Sequence, residues 1–159
     1  MSLTNTKWMG MEIDVMLAGI GRPDPLLGMF DRDAAEEMVS QFENAAAGTL
    51  YGQFADRDRD LCPSPVSLSS VTHVVKSVWI MERFLWATVR VLNTPMGNSL
   101  MRLIDAGFAM DFFPRVMGGQ RADGTVDVQR FLAVDVAPRD VQSRRQDRIG
   151  LVMGAIGQR

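Results

Sequence analysis

Cysteine is almost missing from this chain. Cys62 stands alone, so neither an internal disulfide framework nor an all-cysteine metal site can form. Histidine is equally scarce, and a single imidazole, His73, excludes multi-histidine zinc ligation. No apolar run approaches the roughly 20 residues that span a bilayer, and Met1 to Thr6 lack the basic start and apolar core of a signal peptide. The expectation is a soluble protein without a membrane partner, with reduced cytoplasm as its default compartment.

Other chemistries fail on the same ground. Gly19-Ile20-Gly21 runs into Arg22-Pro23, a turn rather than the helix that a phosphate-binding glycine loop requires. Asp56, Asp58 and Asp60 alternate with Arg57 and Arg59 but lack the central glycine and distant glutamate of a calcium loop, and read as a self-neutralising surface segment. Arg139, Arg144, Arg145 and Arg148 are diluted by Asp140 and Asp147, with no stacking aromatics between them, so a nucleic-acid partner is not expected. Nothing calls for a metal or a cofactor.

What is present is apolar side chain: 47% of 159 residues, enough for one self-sufficient core, so a single domain spanning 1–159 is expected. Charge is uneven. Residues 1–60 carry eleven acids against five bases, and 61–159 carry eight against twelve. A mixed solvated surface accounts for this, while the asymmetry also suits contacts between copies.

Punctuation suggests strands alternating around two helices. Glu12 to Leu17 predicts a first strand, and Gly19 to Gly28 a loop. Asp33 with Glu36 resembles a capping box, and Ala35, Met38, Val39, Phe42 and Ala46 fall at helical spacing before Gly48. A short strand at Gly48 to Phe54 precedes a polar, proline-containing loop over Ala55 to Ser70. Val71 to Ile80 and Phe84 to Leu92 form a hairpin around Met81-Glu82-Arg83, apolar on both faces and so expected to be covered on both. A second helix has Thr94 as cap, Pro95 at its first position, a buried stripe of Leu100, Leu103 and Ile104, and Gly107 as its stop. Strands over Phe108 to Phe113 and Val126 to Val136, a charged connector from Arg139 to Arg148 and an apolar tail from Leu151 to Ile156 complete the chain.

The stretch from Asn93-Thr94-Pro95-Met96-Gly97 through Asp105-Ala106-Gly107 to Pro114-Arg115-Val116-Met117-Gly118 resembles the core of the prohead proteases of large tailed bacteriophages. Met29 to Phe42 is similar to that family's Tyr-Pro segment and following helix. Gly48-Thr49-Leu50-Tyr51-Gly52-Gln53-Phe54 is similar to its Gly-x-Leu-x-Gly-Glu-Leu strand, Val71-Thr72-His73 to its Val-Ser-His segment, and Phe131 to Pro138 to its closing strand. The likeness covers about 29–140. It implies an α+β fold, β-rich, with a partly closed antiparallel barrel flanked by helices, as in the herpesvirus maturation proteases.

The resemblance also marks what is missing. The family's serine-rich turn reads Phe112-Phe113-Pro114-Arg115 here, and where its general-base histidine follows the Gly-Glu-Leu strand this chain has Ala55-Asp56-Arg57. A phenyl ring cannot attack a carbonyl, and a slip of one residue restores neither group. The degenerate catalytic positions are therefore Phe113 and Asp56. Arg115 matches the arginine of the oxyanion turn, and His73 matches a histidine that the family keeps apart from its base.

The expected function is non-enzymatic: a phage virion or capsid assembly protein, assembled in the host cytoplasm, that binds capsid or other virion proteins, with further copies of itself in a homo-oligomer as a second candidate partner. Two alternatives stand beside it, an active maturation protease cutting scaffold and coat proteins through an unrecognised serine and His73, and an unrelated small binding domain. Candidate binding residues are Phe112, Phe113, Trp79 and Trp86. Of the two phenylalanines, strand alternation predicts one ring turned into the core and the other toward the former cleft.

Overall fold

The computed structural model describes residues 11–24, 28–45, 50–55 and 66–139. Their order is β1 (Glu12–Gly19), β2 (Pro23–Asp24), β3 (Gly28–Met29), α1 (Arg32–Asn44), β4 (Tyr51–Gln53), β5 (Val71–Met81), β6 (Phe84–Val91), α2 (Pro95–Asp105), β7 (Met110–Gln120) and β8 (Val126–Pro138). β1, β6, β5 and β4 form one antiparallel sheet in that order, and β7 and β8 form a long antiparallel hairpin. The fold is mixed and strand-rich, as expected. Among the described residues its ring is not closed by a continuous ladder: the hairpin meets β4 through the isolated bridge Phe54–Val136 with a few hydrogen bonds around it and packs against β1 without a ladder.

Alternation builds the core. Along β6, Leu85, Ala87, Val89 and Val91 are buried while Phe84, Trp86, Thr88 and Arg90 are half-buried, so one face is sealed and the other is not. The expectation that both faces of the β5–β6 hairpin are covered is thus corrected: its outward face carries Trp79, Trp86 and a half-exposed Met81, flanked by the Arg90–Glu12 ion pair. The inward face joins Leu17, Phe30, Met38, Leu100, Met101, Phe112, Val134 and Val136 in one apolar cluster.

The first helix begins earlier than the capping-box reading places it. Asp31 is the cap, with an extended backbone and Oδ1 accepting the Ala34 N–H at 2.9 Å, and Asp33 falls inside the first turn, where its charge complements the helix dipole. Ala35 and Met38 are buried as expected, while Ala46 and Gly48 lie outside the described residues. One side chain of α1 does a strand's work: Gln41 Oε1 accepts from Phe131 N–H at 2.8 Å and its Nε2 donates to the Gln129 carbonyl at 3.0 Å, satisfying the open edge of β8.

The second helix follows its sequence signals. Thr94 Oγ1 accepts from Gly97 N–H at 2.9 Å and donates to Val71 O at 2.7 Å, Pro95 occupies the first turn, and Gly107 takes a φ of +92° after the last turn. Its buried stripe is Gly97, Leu100 and Met101; Leu103 and Ile104 are only half-buried.

The last hairpin departs most from expectation. Phe108 is 53% exposed and precedes the strand, which runs on through Pro114, Gly118 and Gly119 to Gln120. Arg139 N–H bonds Ala109 O, so by antiparallel alternation the odd-numbered residues up to Arg115 bond β8 and Pro114 falls on the other edge, where its missing N–H costs no ladder bond. The turn is closed by Gly124 N–H to Arg121 O and by Asp123 Oδ1, which accepts from both Thr125 N–H and its hydroxyl.

Candidate functional site

The turn that carries the resemblance lies within β7, and alternation sorts its side chains onto two faces. Phe112 turns into the core and meets the His73 ring edge-on, with centroids 5.4 Å apart and planes at 72°. Phe113 points the other way, sharing a face with Asp111 and Arg115 of β7 and with Asp135 opposite it on β8, while Arg139, just past the end of β8, reaches Asp111. Yet Phe113 is only 5% exposed, close to the 4% of Phe112. The alternation holds, but the expected open side does not, because neither ring is presented to solvent.

Two diagonal ion pairs bracket Phe113. Arg115 grips Asp135 with both prongs, Nε to Oδ2 at 2.9 Å and Nη2 to Oδ1 at 2.7 Å, with both side chains nearly buried. Arg139 binds Asp111 Oδ1 through Nε at 2.8 Å and also through Nη2. Burial raises the Asp135 carboxyl above the ordinary carboxylate range, opposed by the hydrogen bonds and charge of Arg115 and by a backbone hydrogen bond from Gln53. The Arg139 guanidinium is held above its usual pKa, chiefly by its hydrogen bond to Asp111. Such fork-to-carboxylate geometry fixes orientation as well as charge. Arg115, expected in the former oxyanion turn, is here a clamp on β8, and Arg139, read as the start of a surface connector, closes the second pair.

The lone histidine is fully enclosed. Its Nε2 lies 2.8 Å from the Val134 carbonyl, which can only accept, so Nε2 carries the proton; Nδ1 then accepts from the Thr72 hydroxyl at 2.7 Å. Both ring nitrogens are occupied. Burial lowers the pKa of His73 to about 4, with the Val134 hydrogen bond pulling the other way, so the ring is neutral at neutral pH. The approach depends on Gly52, where an added Cβ would overlap both Val134 O and His73 Nε2. An imidazole so held ties β5 to β8 and has no lone pair left for a serine.

Several of the described serines make local bonds of their own. Ser67 Oγ lies 3.0 Å from Ser69 Oγ and 3.3 Å from Ser70 Oγ, and Ser99 Oγ donates to Pro95 O at 3.2 Å. Asp56 and Cys62 lie outside the described residues, as do Arg144, Arg145, Arg148 and the Leu151–Ile156 tail. Among the described residues no cluster of histidine, cysteine and carboxylates could hold a metal ion, and no helix is long and apolar enough to cross a membrane.

Trp79 and Trp86 face each other across β5 and β6 as a near-parallel stack, centroids 6.5 Å apart and planes at 13°. Both are half-buried, and Trp86 Nε1 is buried without a hydrogen-bond partner. The structure therefore separates the candidate binding residues into an interior pair, Phe112 and Phe113, and an outward pair, Trp79 and Trp86. Sequence reasoning missed the partnership of Asp111 with Arg139 and of Asp135 with Arg115. The signal was there: an acid inside an apolar strand needs a cation, and these arginines flank the same strands.

No family model and no curated protein matches the chain. Among solved structures it is similar to the capsid assembly protease of bacteriophage T4, with a TM-score of 0.67 and 16% sequence identity over 80% of this chain and 81% of that one. At that identity the likeness is one of fold: this chain has the architecture of a phage capsid assembly protease.

Proposed function

We propose that this chain is a phage assembly protein that uses a capsid-protease fold to bind rather than to cut. The observation that carries the reading is Phe113. It stands where the family resemblance puts the nucleophile, sealed between two arginine–aspartate pairs, and the only histidine of the chain has both nitrogens engaged. Hydrolysis by a serine needs a hydroxyl and a base within hydrogen-bond reach, and neither stands at this turn. The partners proposed are capsid or other virion proteins, met in the host cytoplasm and carried into the particle, with further copies of the chain as a possible second partner. Trp79 and Trp86, with Met81 beside them, form the contact surface: amphipathic rings set on a rigid hairpin lose little side-chain freedom when covered.

The fold likeness favours one rival, a working maturation protease. A fluorophosphonate probe separates the two. The purified protein is expected to remain unlabelled and to leave coat and scaffold peptides intact, while co-purifying with particle proteins. Labelling that disappears when one serine is changed to alanine would overturn the binding reading.

A further inference from the structure

We propose that the domain opens first along the seam between β4 and β8, and that proton uptake by His73 drives the opening. The β7–β8 hairpin is laddered along its whole length, from Met110–Pro138 to Gln120–Val126. Its attachment to β4 is slight by comparison. β4 has three residues, and among the described residues the seam consists of the Phe54–Val136 bridge, the Ala55 N–H to Val136 O bond at 2.9 Å, the Gln53 backbone to Asp135, and the His73 ring on Val134 O. Gly52 lies directly against that last bond, so moving β4 away uncovers the imidazole.

Among the described residues no counter-charge waits for a proton there. The ring meets Gly52 of β4, Thr72 of its own strand, Val91 opposite it on β6, Phe112 of β7 and Val134 of β8, none of them ionisable. α1 and α2 turn Ala35, Met38, Leu100 and Met101 inward. Asp135 projects from the opposite face of β8 and is held by Arg115, and Lys76, on β5 itself, is exposed. An imidazolium at this place therefore suffers desolvation without compensation, which accounts for a folded pKa near 4, and opening the seam returns the ring to water. Opening and protonation are consequently linked.

Amide hydrogen exchange on the full chain, corrected for intrinsic rates, tests this. Between pH 7.5 and pH 5 the opening constant reported by the Ala55 amide is expected to rise roughly thirtyfold and to stay well above that of the β7–β8 ladder amides at both pH values, since those amides exchange only through wider unfolding. In His73→Gln the Ala55 rise should vanish. Equal opening constants at Ala55 and along the β7–β8 ladder of the wild-type protein would overturn the proposal, as would an Ala55 amide indifferent to pH; the wild-type comparison stands even if the variant does not fold.

Discussion

Phe112 and Phe113 differ in what they face and agree in what they cost. One ring lies against His73 in the apolar cluster, the other between ion pairs, and both are almost without exposure. Truncating either to alanine is expected to cost about 3–5 kcal/mol, because each removes a buried ring from a site that cannot fully collapse. Denaturant midpoints for the two variants check this; a near-neutral Phe113→Ala would mean that its face is open after all. His73 makes a second expectation at this scale. Its folded pKa of about 4 lies below the ordinary value of 6.5, so between those limits the unfolded chain binds more protons and stability rises with pH. Stability should thus be full above pH 6.5 and decline by about 3 kcal/mol by pH 4, a slope that His73→Gln should lack when both are titrated by urea at several pH values.

Helix α2 separates a good local signal from a tertiary one. Thr94, Pro95 and Gly107 announced both of its ends, because capping is written in adjacent residues. Gly97 announced nothing, yet an added Cβ there would run into the Leu92 carbonyl and crowd Thr72 O. Glycine to alanine inside a helix ordinarily stabilises by about 1 kcal/mol. Here Gly97→Ala should destabilise instead, and Thr94→Ala should cost about 1–2 kcal/mol, since it strips the helix cap and the Val71 O partner together. Thermal melts of both variants, read against wild type, settle the signs. The same division explains what was legible elsewhere. The β5–β6 hairpin could be read from its β-branched and aromatic runs but not which of its faces is sealed, whereas β7 continued past Phe113 because its proline sits on the edge away from the ladder, a fact fixed only by pairing with β8. The acid–arginine pairs join residues 20 and 28 positions apart, and no local pattern assigns such partners.

For the molecule as a whole, the question is what its outward surface meets. The four-stranded sheet turns Trp79, Trp86 and Met81 outward at one end, and the acidic excess of residues 1–60 opposes the basic excess of 61–159. A stacked aromatic pair with the Arg90–Glu12 ion pair on the same face suits an interface centre with a polar rim. Trp79→Ala with Trp86→Thr should therefore leave the fold largely intact, because both rings stand off the sealed face of the sheet, while weakening incorporation into particles at least tenfold. The check is parallel: circular dichroism and denaturant midpoints for the free protein, quantitative blotting of purified particles for incorporation. Should the double variant unfold, single conservative changes to Phe keep the ring and test the contact alone. Normal incorporation of a folded double variant would remove the tryptophans from the interface, and absence of the wild-type protein from particles would leave the binding role without a place to act.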